Sequence, residues 1–192
     1  MEADGDFTEV HADAASGVGR VFSDSEERYL MEASSTTGFV AWRMADGTIL
    51  VSESVEVSLR ASTSVEFWAC AGYQDTTPAG EITAFDCHGC GLTRVDVMAL
   101  TALESLDCGF NRLTELNLAG LRCLQVLDVE GNRLASLGVG DLSSLRILNC
   151  ANNRLTTLDL SSLTALQVVD CSINKLQMVR KEGCDSLRDY RQ

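Results

Sequence analysis

Between Ile82 and Ser186 the chain writes one 21-residue pattern five times. The rungs read ITAFDCHGCGLTRVDVMALTA, LESLDCGFNRLTELNLAGLRC, LQVLDVEGNRLASLGVGDLSS, LRILNCANNRLTTLDLSSLTA and LQVVDCSINKLQMVRKEGCDS. A unit of this length cannot bury its apolar face alone, so neighbouring units must stack into a solenoid. No other feature of the sequence restricts the fold as tightly.

Within a rung the columns have separable physical tasks. Apolar residues at positions 4 and 6 alternate with polar ones, as in Leu106 and Cys108, Leu127 and Val129, or Leu148 and Cys150. That alternation predicts a short strand turning two side chains inward, and one strand per rung makes a parallel sheet. Position 9 holds Asn111, Asn132, Asn153 and Asn174, where the strand must turn. An amide side chain both donates and accepts, so stacked Asn residues can satisfy the backbone groups of a buried turn. A second apolar set, Leu113, Leu116 and Leu118 in the second rung, brings the chain back, and Leu100, Leu121, Leu142 and Leu163 fill the closing corner. The rung is too short for a full outer helix, so turns, short extended pieces or single 3₁₀ turns are expected there.

The spacing L-x-x-L-x-(C/V)-x-x-N-x-L resembles the consensus of leucine-rich repeats. The Cys at position 6 and the repeated LTxLxL half are similar to the short cysteine-bearing rungs of internalin-J-like bacterial surface proteins. The resemblance covers residues 82–186 and implies a right-handed solenoid, mainly β, with a parallel sheet and little or no helix. It also implies a non-catalytic binding or adhesion role at a bacterial cell surface or in secreted form. It constrains function less than fold, because repeat scaffolds host many partners.

Ahead of the repeats the pattern changes. Residues 1–6 are polar and acidic and read as a disordered tail. Residues 7–71 hold short β-branched runs broken by Gly, Ser and Asp, with strands expected near Phe7–Ala12, Gly19–Phe22, Arg28–Ala33, Phe39–Arg43, Ile49–Val51, Val55–Leu59 and Val65–Cys70. With the Asp46-Gly47 turn signal, these predict a small all-β module. Gly38-Phe39-Val40-Ala41-Trp42 resembles the G-[FY]-x-x-W core, and Val65-Glu66-Phe67-Trp68-Ala69 the last strand, of the divergent B-repeat modules found on bacterial surface proteins such as internalins. Trp42 and Phe39 are read as core, since a small sandwich needs bulky inward residues. Residues 72–81, with the chain's only proline, Pro78, read as a linker short enough for the module to cap the first rung of the 82–192 repeat domain. At the far end Lys181 and Cys184 break the pattern, and Leu187 opens a sixth strand with Tyr190 inward, as a polar cap would.

Net charge is −13, distributed as 15 acids against 4 arginines in 1–81 and 13 acids against 11 bases in 82–192. Such a chain repels nucleic acid and anionic membrane surfaces. No run of about 18 apolar residues exists, so no membrane-spanning helix and no direct membrane insertion is expected. No signal peptide stands at the start, so an exported protein would need a leader outside these residues.

The eight cysteines invite a disulfide or metal reading, sharpened by Cys87-x-x-Cys90 beside His88. The register argues otherwise. Cys87, Cys108, Cys150 and Cys171 share one inward column in which Val129 also stands, so the thiols are read as packing material. A Cys70–Cys90 bridge between module and repeats stays open. Zinc would need four convergent ligands, with His11 and His88 the only imidazoles. No metal or cofactor is expected.

The outward face carries the functional candidates. Position 5 is Asp86, Asp107, Asp128, Asn149 and Asp170, and position 10 brings Arg112, Arg133, Arg154 and Lys175. Like charges about 4.8 Å apart repel by roughly 1 kcal/mol per adjacent pair in water. Two readings follow: a self-neutralising charged surface, or a partner-binding strip in which Phe110, Val126, Ile147, Val168 and Ile173, with His88 and Glu130, lie among the charges. Calcium between the aspartates lacks the usual oxygen-rich loop. No nucleophile, base and acid set, phosphate loop or H-E-x-x-H is present, so no enzyme is expected. The expected partner is a protein, such as a host or cell-surface protein, or a glycan. The alternatives are a structural spacer for other domains or an intracellular interaction scaffold.

Overall fold

The computed structural model describes residues 18–23, 27–44, 47–52, 54–59, 63–72, 75–78 and 80–192, which form strands and turns without a helix. Ahead of the repeats run β1 (Val18–Ser23), β2 (Glu27–Ser35), β3 (Val40–Arg43), β4 (Ile49–Val51), β5 (Ser54–Leu59), β6 (Thr63–Gly72) and β7 (Asp75–Pro78). The repeats supply β8 (Ile82–Asp86), β9 (Leu92–Asp96), β10 (Ser105–Asp107), β11 (Val126–Asp128), β12 (Ile147–Asn149), β13 (Thr157–Asp159), β14 (Val168–Asp170), β15 (Met178–Arg180) and β16 (Asp189–Arg191).

The 21-residue period appears directly as strand register. Strands β8, β10, β11, β12, β14 and β16 pair in parallel, with Phe85, Leu106, Leu127, Leu148, Val169 and Tyr190 in one row. The solenoid is thus the mainly β coil with a parallel sheet that the 21-residue period predicts. Its inward columns are dry: Leu106, Leu127, Leu148, Cys108, Val129, Cys150 and Leu163 are all buried. The outer side consists of turns and short extended pieces, of which β13 and β15 pair in parallel.

Strands β1 to β6 fall on the runs expected from Gly19 onward. The tail 1–6, the run Phe7–Ala12, His11 and Asp46 lie outside the described residues. The stretch 72–81, read as a linker, carries β7, which pairs antiparallel with β6 from Cys70↔Pro78 to Gly72↔Asp75. Thr-rich, extended and ending in proline, it has the composition of an edge strand.

Sequence reasoning did not foresee how the module joins the repeats. Strands β5 and β2 continue the repeat sheet, giving the order β5-β2-β8-β10-β11-β12-β14-β16. On the other side of the coil β1 pairs with β9 within a sheet ordered β4-β3-β6-β1-β9. The first rung is therefore clasped on both sides, and Ile82, Phe85 and Cys87, which an open solenoid end would expose, are buried. Phe85 stands where the next rungs have Leu. Its ring stacks on Phe67 of β6 at 4.1 Å between centroids, with Trp42 6.3 Å away. Gly19 makes room for this stack, since a Cβ there would lie 2.3 Å from the Phe67 ring. One hydrophobic cluster runs without a break from Val21, Trp42 and Phe67 to Cys171.

The last rung closes more loosely. Tyr190 is half-buried beneath Lys181, whose Nζ lies 4.2 Å from the ring centre. Arg191 reaches Asp170 at 3.7 Å and Asp189 at 3.3 Å.

Because Phe85 joins the two apolar regions, Phe85→Ala should cost about 3–5 kcal/mol in chemical denaturation. Phe85→Leu, which restores the repeat consensus, should cost less but still weaken the union of β6 with the first rung.

Candidate functional site

The outward face begins where the strand ends, and two local devices shape it. The first is the aspartate at position 5. Asp86, Asp107, Asp128 and Asp170 each accept, through Oδ1, the backbone N–H two residues on, at 2.9, 2.9, 2.9 and 3.0 Å. Asn149 does the same at 3.3 Å. The acidic column is therefore a stack of Asx turns ending each strand.

The second device lies at position 8. Gly89, Phe110, Gly131, Asn152 and Ile173 all have positive φ, between 51° and 67°. Glycine and asparagine take that conformation readily, whereas phenylalanine and isoleucine pay roughly 1–2 kcal/mol each for it. A β-branched residue there is a true outlier. Both side chains also face solvent, Phe110 at 50% and Ile173 at 75% exposure. Backbone preference does not account for large apolar residues at these two positions, and Ile173 is the more exposed of the two.

Phe110 is the centre of a local cluster. Its ring crosses Gly131, where a Cβ would come within 2.9 Å of it, and lies 5.2 Å from the His88 ring. His88 Nδ1 in turn is 3.3 Å from Asp107 Oδ1. One rung further, the Asn149 amide donates to Asp128 Oδ2 at 3.0 Å and to Glu130 Oε2 at 2.8 Å. Burial raises the Asp128 carboxyl above its usual range, with partial relief from the Glu130 N–H and Asn149. At the other end the Ser172 hydroxyl holds the Asp170 carboxyl low, and Arg191 adds to this.

Beside the acids, position 3 presents Val126, Ile147 and Val168, half-buried to exposed. The face does not stop at the first rung, because β2 adds exposed Leu30, Glu32 and Ser34, with Glu32 opposite Asp86. Sequence reasoning missed these three. Their alternation with buried Met31 and Ala33 was visible, but nothing local said which sheet β2 would join.

The basic column stands apart. Arg112, Arg133, Arg154 and Lys175 are exposed, and Arg133, Arg154 and Lys175 form no ion pair among the described residues. The acids of position 5 find His88 and Arg191 instead.

The cysteine column lies behind this face. Cys87, Cys108, Cys150 and Cys171 are buried free thiols. Cys87, Cys108 and Cys171 point their Sγ at the carbonyl of position 5 in the next rung, at 3.5, 3.6 and 3.1 Å. Burial pushes the Cys87, Cys108 and Cys150 thiols well above their ordinary 9.0. His88 lies on the outside of the coil while Cys87 and Cys90 lie within it, so the C-x-x-C sulfurs and the imidazole do not converge. Cys70 is buried in a separate cluster with Val18, Ala41 and Trp68, and Cys90 turns toward Leu30 O at 3.6 Å. No three His, Cys, Asp or Glu side chains gather as a metal site among the described residues.

Residues 144–166 match the family model described as Leucine Rich Repeat. Among solved structures the chain is similar to the functional domain of InlJ from Listeria monocytogenes, described as including a cysteine ladder. That match has 28% identity and a TM-score of 0.37, covering 55% of this chain and 31% of that one. No curated protein matches the chain.

Two outcomes follow from this geometry. Phe110→Gly relieves the left-handed backbone, so it should stabilise the fold by about 1 kcal/mol despite removing a large side chain, read as a higher denaturation midpoint. The raised thiol pKa values mean that stability from the buried column is complete below pH 9.0 and is lost as pH rises above it. Cys108→Val, copying Val129, should keep stability near neutral pH and reduce the alkaline loss in urea titrations at pH 7 to 11.

Proposed function

We propose that the chain is a non-catalytic binding module that takes a protein partner on the outward face of its repeat sheet. The observation that carries this reading is the pair Phe110 and Ile173, large apolar side chains exposed at 50% and 75% on left-handed backbone. Strain held at exposed surface residues is a mark of function. Aromatic and aliphatic anchors among charges are what interface cores use. The candidate strip runs from Asp86 and His88 through Asp107, Phe110, Val126, Asp128 and Glu130 to Ile147, Asn149, Val168, Asp170 and Ile173, with the arginines 112, 133 and 154 at its margin.

The strand β2 widens this strip. Five rungs at about 4.8 Å give only about 20 Å of length, short of the roughly 800 Å² per partner of a standard interface. Leu30, Glu32 and Ser34 extend the face beyond the first rung.

A bacterial surface or secreted setting, in which the module serves adhesion, is supported by the resemblance of the cysteine-bearing rungs and of the B-repeat-like stretch in residues 7–71. A host or cell-surface protein is the partner that setting favours, and a glycan is the second class. The competing role, a spacer that displays other domains, gives no reason for exposed Phe110 and Ile173.

Affinity capture from surface-protein extracts, comparing wild type with Phe110→Ala/Ile173→Ala and with Met98→Ala on the opposite side, tests the reading. A protein retained by wild type and Met98→Ala and lost from the double variant supports it. Equal retention by all three would place binding elsewhere, and retention of nothing favours the spacer.

A further inference from the structure

We propose that two copies of this chain pair side by side along the turn that follows each repeat strand, the acidic column of one copy lying against the basic column of the other. Three observations meet here; the third shares Phe110 and Ile173 with the proposed partner strip, so a second copy and another protein compete for that column.

The first is the arrangement of charge. Position 5 is acidic in every rung but the fourth, where Asn149 stands, and position 10 is basic from the second rung to the fifth. Arg133, Arg154 and Lys175 are exposed and unpaired among the described residues. Each copy thus offers an acidic line and a basic line, parallel to one another and separated by one turn of chain. A two-fold axis running along the stack, midway between the lines, brings each acidic line over the other copy's basic line. Asp128 then faces Arg133 of the second copy and Asp170 faces Lys175, each pair occurring twice. The reversed orientation would set acid on acid.

The second is period. Charges on the rungs recur about every 4.8 Å. A partner helix repeats about every 5.4 Å and drifts by about 2.4 Å over four steps. An extended strand repeats on one face about every 6.6 Å. A second copy repeats at the rung spacing itself, so its columns stay in step from the second rung to the fifth, with acid opposite base in the third and fifth rungs and Asn149 opposite Arg154 in the fourth.

The third is the content of the column between the lines. Position 8 holds Phe110 and Ile173, exposed and in left-handed backbone. Under the two-fold axis each meets its own counterpart, which gives the contact an apolar centre flanked by charge. Between them stand Gly131, with the Phe110 ring lying across it, and exposed Asn152.

The excess of acids in residues 1–81 opposes association at long range. At about 0.15 M salt, where the Debye length is about 8 Å, that repulsion is screened more than contacts at ion-pair distance. The small strip predicts a modest, concentration-dependent dimer rather than an obligate one.

Sedimentation velocity of the full chain at this salt, from about 1 µM to about 1 mM, should show a monomer–dimer equilibrium. Arg133→Glu/Lys175→Glu, at the two named pairs, should raise the dissociation constant about tenfold or more, and Met98→Ala, on the opposite side, should leave it unchanged. Phe110→Gly separates pairing from folding, because it should weaken the dimer while raising the unfolding midpoint of the monomer. A chain that sediments as a monomer throughout overturns the proposal. So does a dimer that the double charge reversal leaves intact, or one that Met98→Ala weakens equally.

Discussion

The structure depends on a single hydrogen-bonded column, the asparagines at position 9. The Asn132 amide donates to Val129 O and Glu130 O of its own rung and to Cys108 O of the rung before, while its Oδ1 accepts the Leu113 N–H at 3.0 Å. Asn111, Asn153 and Asn174 repeat this set with the same offsets. A 21-residue coil turns too tightly to satisfy its own buried carbonyls, and each Asn does so for two coils at once. No buried side-chain nitrogen or oxygen among the described residues lacks a partner. With the turn fixed from inside, positions 8 and 10 face solvent in most rungs.

The first rung shows what this column requires. It has Cys90 in place of Asn, and no earlier coil exists for an amide to join. Its neighbour is the antiparallel strand β2, and the Cys90 thiol turns to Leu30 O at 3.6 Å and to His88 O at 3.5 Å. Burial pushes that thiol up to about 12, so it remains a neutral donor. Phe85 is the matching change in the leucine column, reaching into the module where later rungs meet another leucine. Both departures from the repeat mark a change of neighbour.

The outward face divides along similar lines. The aspartates at position 5, legible in the sequence as a charged ladder, also close the strand turn, which limits how freely they are replaced. Phe110 and Ile173 have no such internal task. The pattern Gly, Phe, Gly, Asn, Ile at position 8 held the signal, since two glycines and an asparagine in one column point to positive φ. That signal changes Phe110 and Ile173 from ordinary exposed residues into strained ones.

Periodicity by itself determined the solenoid, its parallel sheet, the inward cysteines and the buried asparagines, because stacking equal coils leaves one register that buries every apolar column together. Local β-branched runs, apart from that period, placed strands β1 to β6. Only the tertiary structure decided that β2 and β5 join the repeat sheet, that residues 75–78 form a strand, and that Leu30 and Glu32 lie beside Asp86. Antiparallel partners are chosen by which edges remain open once the coil has formed. That is a property of the whole assembly, and no window along the chain carries it.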